Sequence, residues 1–285
     1  MLRMHGNRLK TMTEKGFKCI SKRRYTQLIT AVLYNCNIRG FLDGKIYQGN
    51  VKGLCAPGLN CYSCPGAVLS CPLGSMQMAL VSSKYKIPYY MLGTLILMGL
   101  FLGRFICGFL CPFGLLQDLL DKMPFPKIPK GRVTSILSYL KYIILALFVV
   151  LIPMVKLAPG FCKYICPAGT LAAGIPNVLY DSRLRQLLGL LFTWKVFVLA
   201  AVLLICMFCY RAFCRFICPL GAIYSFFNPI AFFGIKVDGT KCIHCNACIK
   251  VCQMDTKKVC DKECIHCGKC IKACPVDAIH YGRKH

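Results

Sequence analysis

The chain is 285 residues long, 56% hydrophobic and only 16% charged, a balance that excludes an ordinary soluble domain and points to a membrane protein. Its formal charge of +26 would suit nucleic acid, but no helix-turn-helix, zinc finger or aromatic-basic stacking pattern accompanies it, so no nucleic-acid partner is expected. Basic cytoplasmic flanks, together with cysteine thiolates that the formal count omits, account for the excess.

Residues 1–24 form a basic segment (Arg3, Arg8, Lys10, Lys15, Lys18, Lys22, Arg23 and Arg24) without a cleavable secretory signal, expected to stay in the cytoplasm. Residues 25–235 are expected to form a transmembrane domain. Crossing roughly 30 Å of hydrocarbon takes about 20 helical residues. Pro88–Cys107, Ile136–Leu157 and Leu187–Phe208 meet that length. A fourth stretch, Tyr25–Tyr47, loses its clean apolar run near Cys36 and on hydropathy alone is equally a re-entrant segment. Lys122, Lys127, Lys130 and Arg132 follow the second crossing, and the C-terminal tail is lysine-rich, so the charge bias is met by four crossings. The predicted fold is a membrane α-helical bundle of about four transmembrane helices with a C-terminal α+β two-cluster ferredoxin-like domain. It would lie in the plasma membrane, both termini cytoplasmic. Gly221–Ile235 reads as a short interfacial or re-entrant helix, and the soluble module occupies residues 236–285.

The 23 cysteines, an odd number, mostly lie at metal-ligand spacings, which favours thiolate ligation over disulfides. The tail reads Cys242-x2-Cys245-x2-Cys248-x3-Cys252, then Cys264-x2-Cys267-x2-Cys270-x3-Cys274-Pro275. In this spacing three thiolates grip one 4Fe-4S cube and the fourth reaches across to the other. Two clusters are therefore expected, one on Cys242, Cys245, Cys248 and Cys274 and one on Cys264, Cys267, Cys270 and Cys252. Tetrahedral zinc is the competing reading of the CxxC pairs. His244 and His266, inside those loops, read as exposed residues beside a cluster. Gln253 replaces the proline usual after the first run.

A second pattern, CxxxCPxG, recurs at Cys107–Gly114, Cys162–Gly169 and Cys214–Gly221, each after a predicted span. Cysteines four apart share a helical face, and a following proline disfavours helical geometry at the second cysteine. The first and third copies each carry an arginine three residues upstream, Arg104 and Arg211. Cys107, Cys111, Cys214 and Cys218 are expected to make one further 4Fe-4S site at the inner face, with the two arginines as compensating charge near the cofactor. Cys162 and Cys166 fall on the opposite face, with Cys55, Cys61, Cys64 and Cys71. Cys71-Pro-Leu-Gly74 looks like a fourth copy with Ala67 in place of its first cysteine. For an outer cluster the favoured set is Cys61, Cys64, Cys162 and Cys166, with a disulfide as competitor. Cys19, Cys36, Cys206, Cys209 and Cys260 fit neither pattern and read as packing residues. The cofactors expected are two 4Fe-4S clusters in the tail and one or two iron-sulfur clusters in the membrane domain.

All five histidines (His5, His244, His266, His280, His285) lie outside the spans, so no bis-histidine haem is expected. No acidic residue lies in the three strong spans, which disfavours a carboxylate proton path. There is no Rossmann glycine pattern and no P-loop.

On the CxxxCP repeats and the two-cluster tail, the chain from about Tyr25 onward resembles the membrane polyferredoxin family that includes NapH and the C-terminal half of NosR. That resemblance implies electron transfer at the membrane in anaerobic respiration, from quinol or to extracytoplasmic redox partners. The chain is expected to depart from NosR in lacking its extracytoplasmic flavin-binding domain. The function expected is an electron-transfer component of an oxidoreductase system, embedded in the lipid bilayer and linking an acidic cytoplasmic ferredoxin or flavodoxin, docked on the lysine-rich tail, to an extracytoplasmic redox protein. Those lysines read equally well as a solvated face. A quinol dehydrogenase is the alternative, with Asp43, Asp118, Asp121 and Asp181 as its only nearby proton acceptors. A redox-sensing or maturation accessory is the third reading.

Overall fold

The computed structural model describes residues 22–82, 89–186, 188–254 and 256–283. Arg3, Arg8, Lys10, Lys15, Lys18 and Cys19, and Pro88 and Leu187 at the starts of two predicted spans, lie outside these residues.

Among the described residues, two helices are long and apolar enough to cross a membrane: Arg132–Lys156 with 25 residues and Leu190–Phe208 with 19. Only 22% and 17% of their most apolar stretches are buried, which leaves apolar side chains such as Val155, Phe197 and Leu204 facing outward.

The other two predicted spans are interrupted. The first helix, 22–34, ends before Cys36, and the chain resumes as the short helix Ile38–Asp43. Tyr89–Leu102 stops at Gly103, whose φ of +51° turns the chain out of the helix. The next amide, Arg104 N–H, donates to Asn228 Oδ1 at 3.0 Å, and a new turn, Phe105–Phe109, begins there. Hydropathy registers the first break, where the apolar run fades near Cys36, but not the one at Gly103, which has apolar residues on both sides.

Three segments widen into π-helix: Leu145–Leu151, Thr170–Gly174 and Phe213–Ile217. Each ends two residues before a proline, at Pro153, Pro176 and Pro219. Proline lacks an N–H and its ring crowds the carbonyl four residues back, so a wider turn relieves the strain before Pro153 and Pro176, where the helix continues, whereas Pro219 opens a new helix after the extended Cys218. One of these turns carries Cys214, and another begins four residues after Cys166.

After the helix Pro219–Phe227 the chain enters a small α+β module. Its strand β1 (Phe233–Val237) pairs antiparallel with β2 (Ile279–Arg283), with Ile235 opposite Tyr281. The module thus begins at Phe233, three residues before the composition changes, and the helix in the predicted Gly221–Ile235 stretch ends at Phe227. Two short helices, Ala247–Lys250 and Lys269–Ala273, lie between the strands. Each follows a left-handed residue, Asn246 or Gly268, and His244 and His266 are left-handed at matching positions, so the two halves repeat one loop geometry.

The main core is built around sulfur. Cys107, Cys111, Cys166, Cys214 and Cys218 are buried in one cluster with Ile106, Phe113, Phe161, Phe213, Leu220 and Tyr224. Two module residues, Met254 and Ile265, join the same cluster, so module and bundle share one core.

Candidate iron-sulfur centres

The cysteines gather into four quartets. In the module, Cys242, Cys245, Cys248 and Cys274 line a cavity of about 270 Å³ with Val237, Ile243 and Ile279. Cys264 lies close to Cys267 and Cys270, and Cys270 lies close to Cys252. The fourth cysteine of each run therefore crosses to the other half. Amide and hydroxyl donors meet the two crossing sulfurs, from Ala278 N to Cys274 at 3.3 Å and from Thr256 Oγ1 to Cys252 at 3.1 Å. Cys260, outside the pattern, also sits beside Cys264.

In the bundle, Cys107, Cys111, Cys214 and Cys218 come together within electrostatic reach of one another. The repeat explains the arrangement: the second cysteine of each copy stands at the start of a helix, followed by proline at the first helical position. Glycine three residues on leaves its amide free to point back at sulfur, as Gly221 N does to Cys218 at 3.4 Å.

The arginines cross between the copies. Arg104 donates to the Cys214 carbonyl at 3.2 Å, and Arg211 donates to the Cys107 carbonyl at 2.6 Å. Each is fully buried and held by an acid. Arg104 meets Glu263 at 2.5 Å, shared with Lys141 at 2.5 Å, while Arg211 meets both oxygens of Asp118 at 2.8 and 2.5 Å. Arg23 joins Asp118 at 2.5 Å. Each carboxylate is shared by two cations, so net positive charge remains near the thiols, and the arginines also fix the backbone of the opposite cysteine.

The other bundle quartet differs from the set favoured for an outer cluster. Cys61, Cys71, Cys162 and Cys166 line a cavity of about 310 Å³, flanked by Tyr62, Lys163 and Lys195. Cys64 is not among them. The turn at Cys61–Ala67, closed by Cys64 N to Cys61 O at 3.2 Å and Ala67 N to Cys64 O at 3.1 Å, directs its sulfur to the amides of Gly66 and Ala67 instead. Cys71 takes the place because it stands before Pro72 at the start of the helix Pro72–Ser82, as Cys111, Cys166 and Cys218 stand before theirs. Among the described residues none of the cysteines is paired in a disulfide, and no three His, Cys, Asp or Glu side chains converge closely enough for a single metal ion. All-sulfur quartets spread around cavities suit a cube, whose four irons each take one thiolate, better than one tetrahedral ion at about 2.3 Å from every sulfur.

The quartets follow one another in space. Inside the module the crossing cysteines join the first two. Ile265, between Cys264 and Cys267, lies on Gly108, beside Cys107: a methyl group at Gly108 would come within 2.2 Å of the Ile265 carbonyl oxygen. Between the two bundle quartets, the segment after Cys55 dips inward. Gly58 packs on Cys111, and the Leu59 amide donates to the Cys111 sulfur, two residues before Cys61. Tyr224, fully buried, donates to Pro57 O at 2.8 Å and lies near Cys71, Cys107 and Cys111.

His266 corrects the expectation of an exposed loop residue. It is completely buried; Nδ1 accepts from Ile235 N at 3.2 Å and Nε2 faces Asn228 Oδ1 at 2.9 Å. Asn228 in turn donates to the carbonyls of Asp261 and Cys264 at 2.7 and 3.1 Å. The module is therefore docked through Asn228, Glu263, Ile265 and His266. Gly108→Ala is expected to force this contact apart and to lower the stability of the docked module by about 1–3 kcal/mol, the range for overpacking. Faster amide exchange across residues 261–268 and in Phe105–Phe109 is the measurement.

Comparison with known proteins agrees with the thiol geometry. Three segments, 87–132, 141–176 and 190–237, match a 4Fe-4S binding domain family, each containing one CxxxCPxG copy, and residues 261–280 match a second 4Fe-4S binding domain family. This is an iron-sulfur chain of ferredoxin type. Two uncharacterized proteins of Methanocaldococcus jannaschii are similar to it: MJ0750, 32% identical over 58% of this chain and 64% of its own length, and MJ0749, 29% identical over 54% and 53%. YccM of Escherichia coli K12, provisionally named an electron transport protein, is 24% identical over 57% of this chain and 44% of its own. The chain thus spans between 44% and 64% of the length of these relatives. No solved structure matches it. What these matches show of the chain itself is 4Fe-4S binding domains.

Proposed function

We propose that this ferredoxin-type chain is a membrane-embedded electron conduit in which four cysteine quartets hold 4Fe-4S clusters from a cytoplasmic module to the outer face of a helical bundle. A 4Fe-4S cluster, when bound, accepts and releases single electrons. The single observation that carries the reading is the unbroken series of thiol quartets, each touching the next through Ile265–Gly108 and through Gly58, Leu59 and Tyr224. The uncovered apolar faces of Arg132–Lys156 and Leu190–Phe208 support a lipid surround, since water is a poor cover for them. Lys141, in the N-terminal half of the first of these helices, meets the module through Glu263, whereas Cys162 follows its C-terminal end. The proposed route therefore runs along the helix axis.

At each end the chain's own residues present positive charge near sulfur. Lys163 and Lys195 flank the outer cavity, and Lys257 and Lys258 line the cavity of the Cys242 quartet. These ends fit acidic redox proteins, a ferredoxin or flavodoxin inside and an extracytoplasmic acceptor or donor outside.

A quinol dehydrogenase like NapH is the second reading, favoured by an apolar cavity of about 350 Å³ between Leu59, Cys61, Phe113 and Leu171. Buried Asn60 lines it, and its Nδ2 has no partner. Asp118 does not serve that reading as a base. Burial pushes its carboxyl up, but Arg211 and Arg23 overcome this and hold it at about 2.

Purified protein in liposomes, with an electron donor outside and a trapped acceptor dye inside, tests the proposal. Wild type is expected to reduce the trapped dye, and Cys162→Ser/Cys166→Ser to abolish this while the tail clusters remain reducible. Equal rates in the two proteins would overturn the conduit. Cluster reduction by a short-chain quinol, and not by ferredoxin, would favour the second reading.

A further inference from the structure

Two glutamines that neither cysteine pattern includes occupy the same place in the two bundle quartets. Gln117 lies six residues after Cys111 and Gln77 six residues after Cys71, in CPFGLLQ and CPLGSMQ. Both side chains are buried, with Gln77 0% and Gln117 1% exposed. Gln117 Nε2 donates to the Cys214 sulfur at 3.0 Å and to the Phe113 carbonyl at 3.3 Å, and its Oε1 accepts from Cys214 N at 3.4 Å. Gln77 Nε2 donates to the Cys162 sulfur at 3.4 Å and to the Leu73 carbonyl at 3.3 Å, and its Oε1 accepts from Phe161 N at 3.0 Å.

The two sets of contacts correspond: a carbonyl four residues back on the same helix, a backbone amide at the first cysteine of the opposite CxxxCPxG copy or one residue before it, and that cysteine's sulfur. The amide received by Oε1 settles which end of the carboxamide faces sulfur, because an N–H cannot accept it. In the two remaining copies the same position holds Ala172 and Tyr224, so each quartet receives one glutamine. Gln117 Oε1 also takes the Cys206 thiol at 3.6 Å, which gives that unassigned cysteine a place in the network.

We infer that Gln77 and Gln117 are paired positioning residues, each fixing the first cysteine of the opposite repeat and setting the reduction potential of its quartet through an N–H···S bond. The inference rests on the reading that both quartets hold clusters. A donor aimed at a ligand sulfur stabilises negative charge there, and the reduced cluster carries one more negative charge than the oxidised one. Removing the donor therefore makes reduction harder and moves the midpoint to more negative potential. A glutamine that only tied two helices together would leave midpoints unchanged wherever the cluster is retained.

The test uses the full chain, purified anaerobically with its clusters, as wild type, Gln77→Met and Gln117→Met. Methionine keeps the side-chain length and removes both polar ends. Iron and sulfide are quantified first, and the midpoints are then read by EPR-monitored redox titration. Each variant is expected to keep the wild-type iron content and to shift one midpoint negatively, a different one in each variant, the others unmoved. Unmoved midpoints at full iron content overturn the inference, as does a shift of the same midpoint in both variants. If a methionine variant loses iron, Gln→Leu at that position also removes the N–H donor without adding a titratable group; a wild-type midpoint there overturns the inference equally. Wild-type iron for only two clusters would instead fail the underlying reading, and the two failures are distinguished before any titration.

Discussion

Exchange of Cys71 for serine is expected to remove iron and acid-labile sulfide equal to one cluster, while exchange of Cys64 leaves both counts at the wild-type level. The two cysteines lie in one short segment, and local spacing favours Cys64, which forms a CxxC pair with Cys61. The structure turns the Cys64 sulfur toward the amides of Gly66 and Ala67 and brings Cys71 to the cavity shared with Cys61, Cys162 and Cys166. A cube held by three thiolates in place of four loses one iron ligand in a site whose other polar lining residues are Asn60, Tyr62, Ser63, Lys163, Asn177 and Lys195. Metal binding and folding are coupled at such sites, so the effect is all-or-none for the outer cluster. Iron loss in Cys64→Ser with retention in Cys71→Ser would reverse the assignment.

The second large effect is expected at Asp118. Asp118→Asn leaves Arg211, fully buried, and Arg23, largely buried, facing a neutral amide. Removing one partner of a buried ion pair costs about 3–5 kcal/mol, because the remaining charge is left in a poor solvent. The carboxyl is held at about 2 against an ordinary 3.8. A depressed acid contributes stability that is fully present above its ordinary range and is lost as pH falls toward the folded value. Denaturation at neutral pH therefore reads the whole contribution. The double variant Asp118→Leu/Arg211→Met, which removes both charges, is expected to recover part of the loss. A single variant as stable as wild type would show that the ion pair is not the anchor of this region.

The ferredoxin tail was the most legible part of the chain, because a cube dictates its ligand spacing locally and the eight cysteines satisfy it within 33 residues, Cys242 to Cys274. The inner quartet was legible for a related reason: two copies of one motif, each with its own arginine, imply partners. What the arginines bind was not. Their acids lie 93 and 159 residues away in sequence, at Asp118 and Glu263, and no local pattern links positions so far apart. Hydropathy located the apolar segments and the fading of the first near Cys36, but missed the break at Gly103, since a turn inside apolar sequence leaves its average unchanged. His266 was misjudged because nothing in a CxxC loop reveals that the bundle will close over it. The glutamines had a signal, their shared position six residues after a CPxG cysteine, which becomes visible only when Cys71 is counted as a full member of the repeat.

The exchange of arginines between Cys107 and Cys214 makes each repeat incomplete without its twin. Such reciprocity is the signature of an isologous contact, in which a group on one half meets its counterpart on the other and is met in return. Two identical short polypeptides pairing about an axis would generate this arrangement with no further adjustment. This centre has the form of such a pairing within one chain, and the different acids under its two guanidinium groups, Asp118 from a bundle helix and Glu263 from the module, are where the two halves depart from that symmetry.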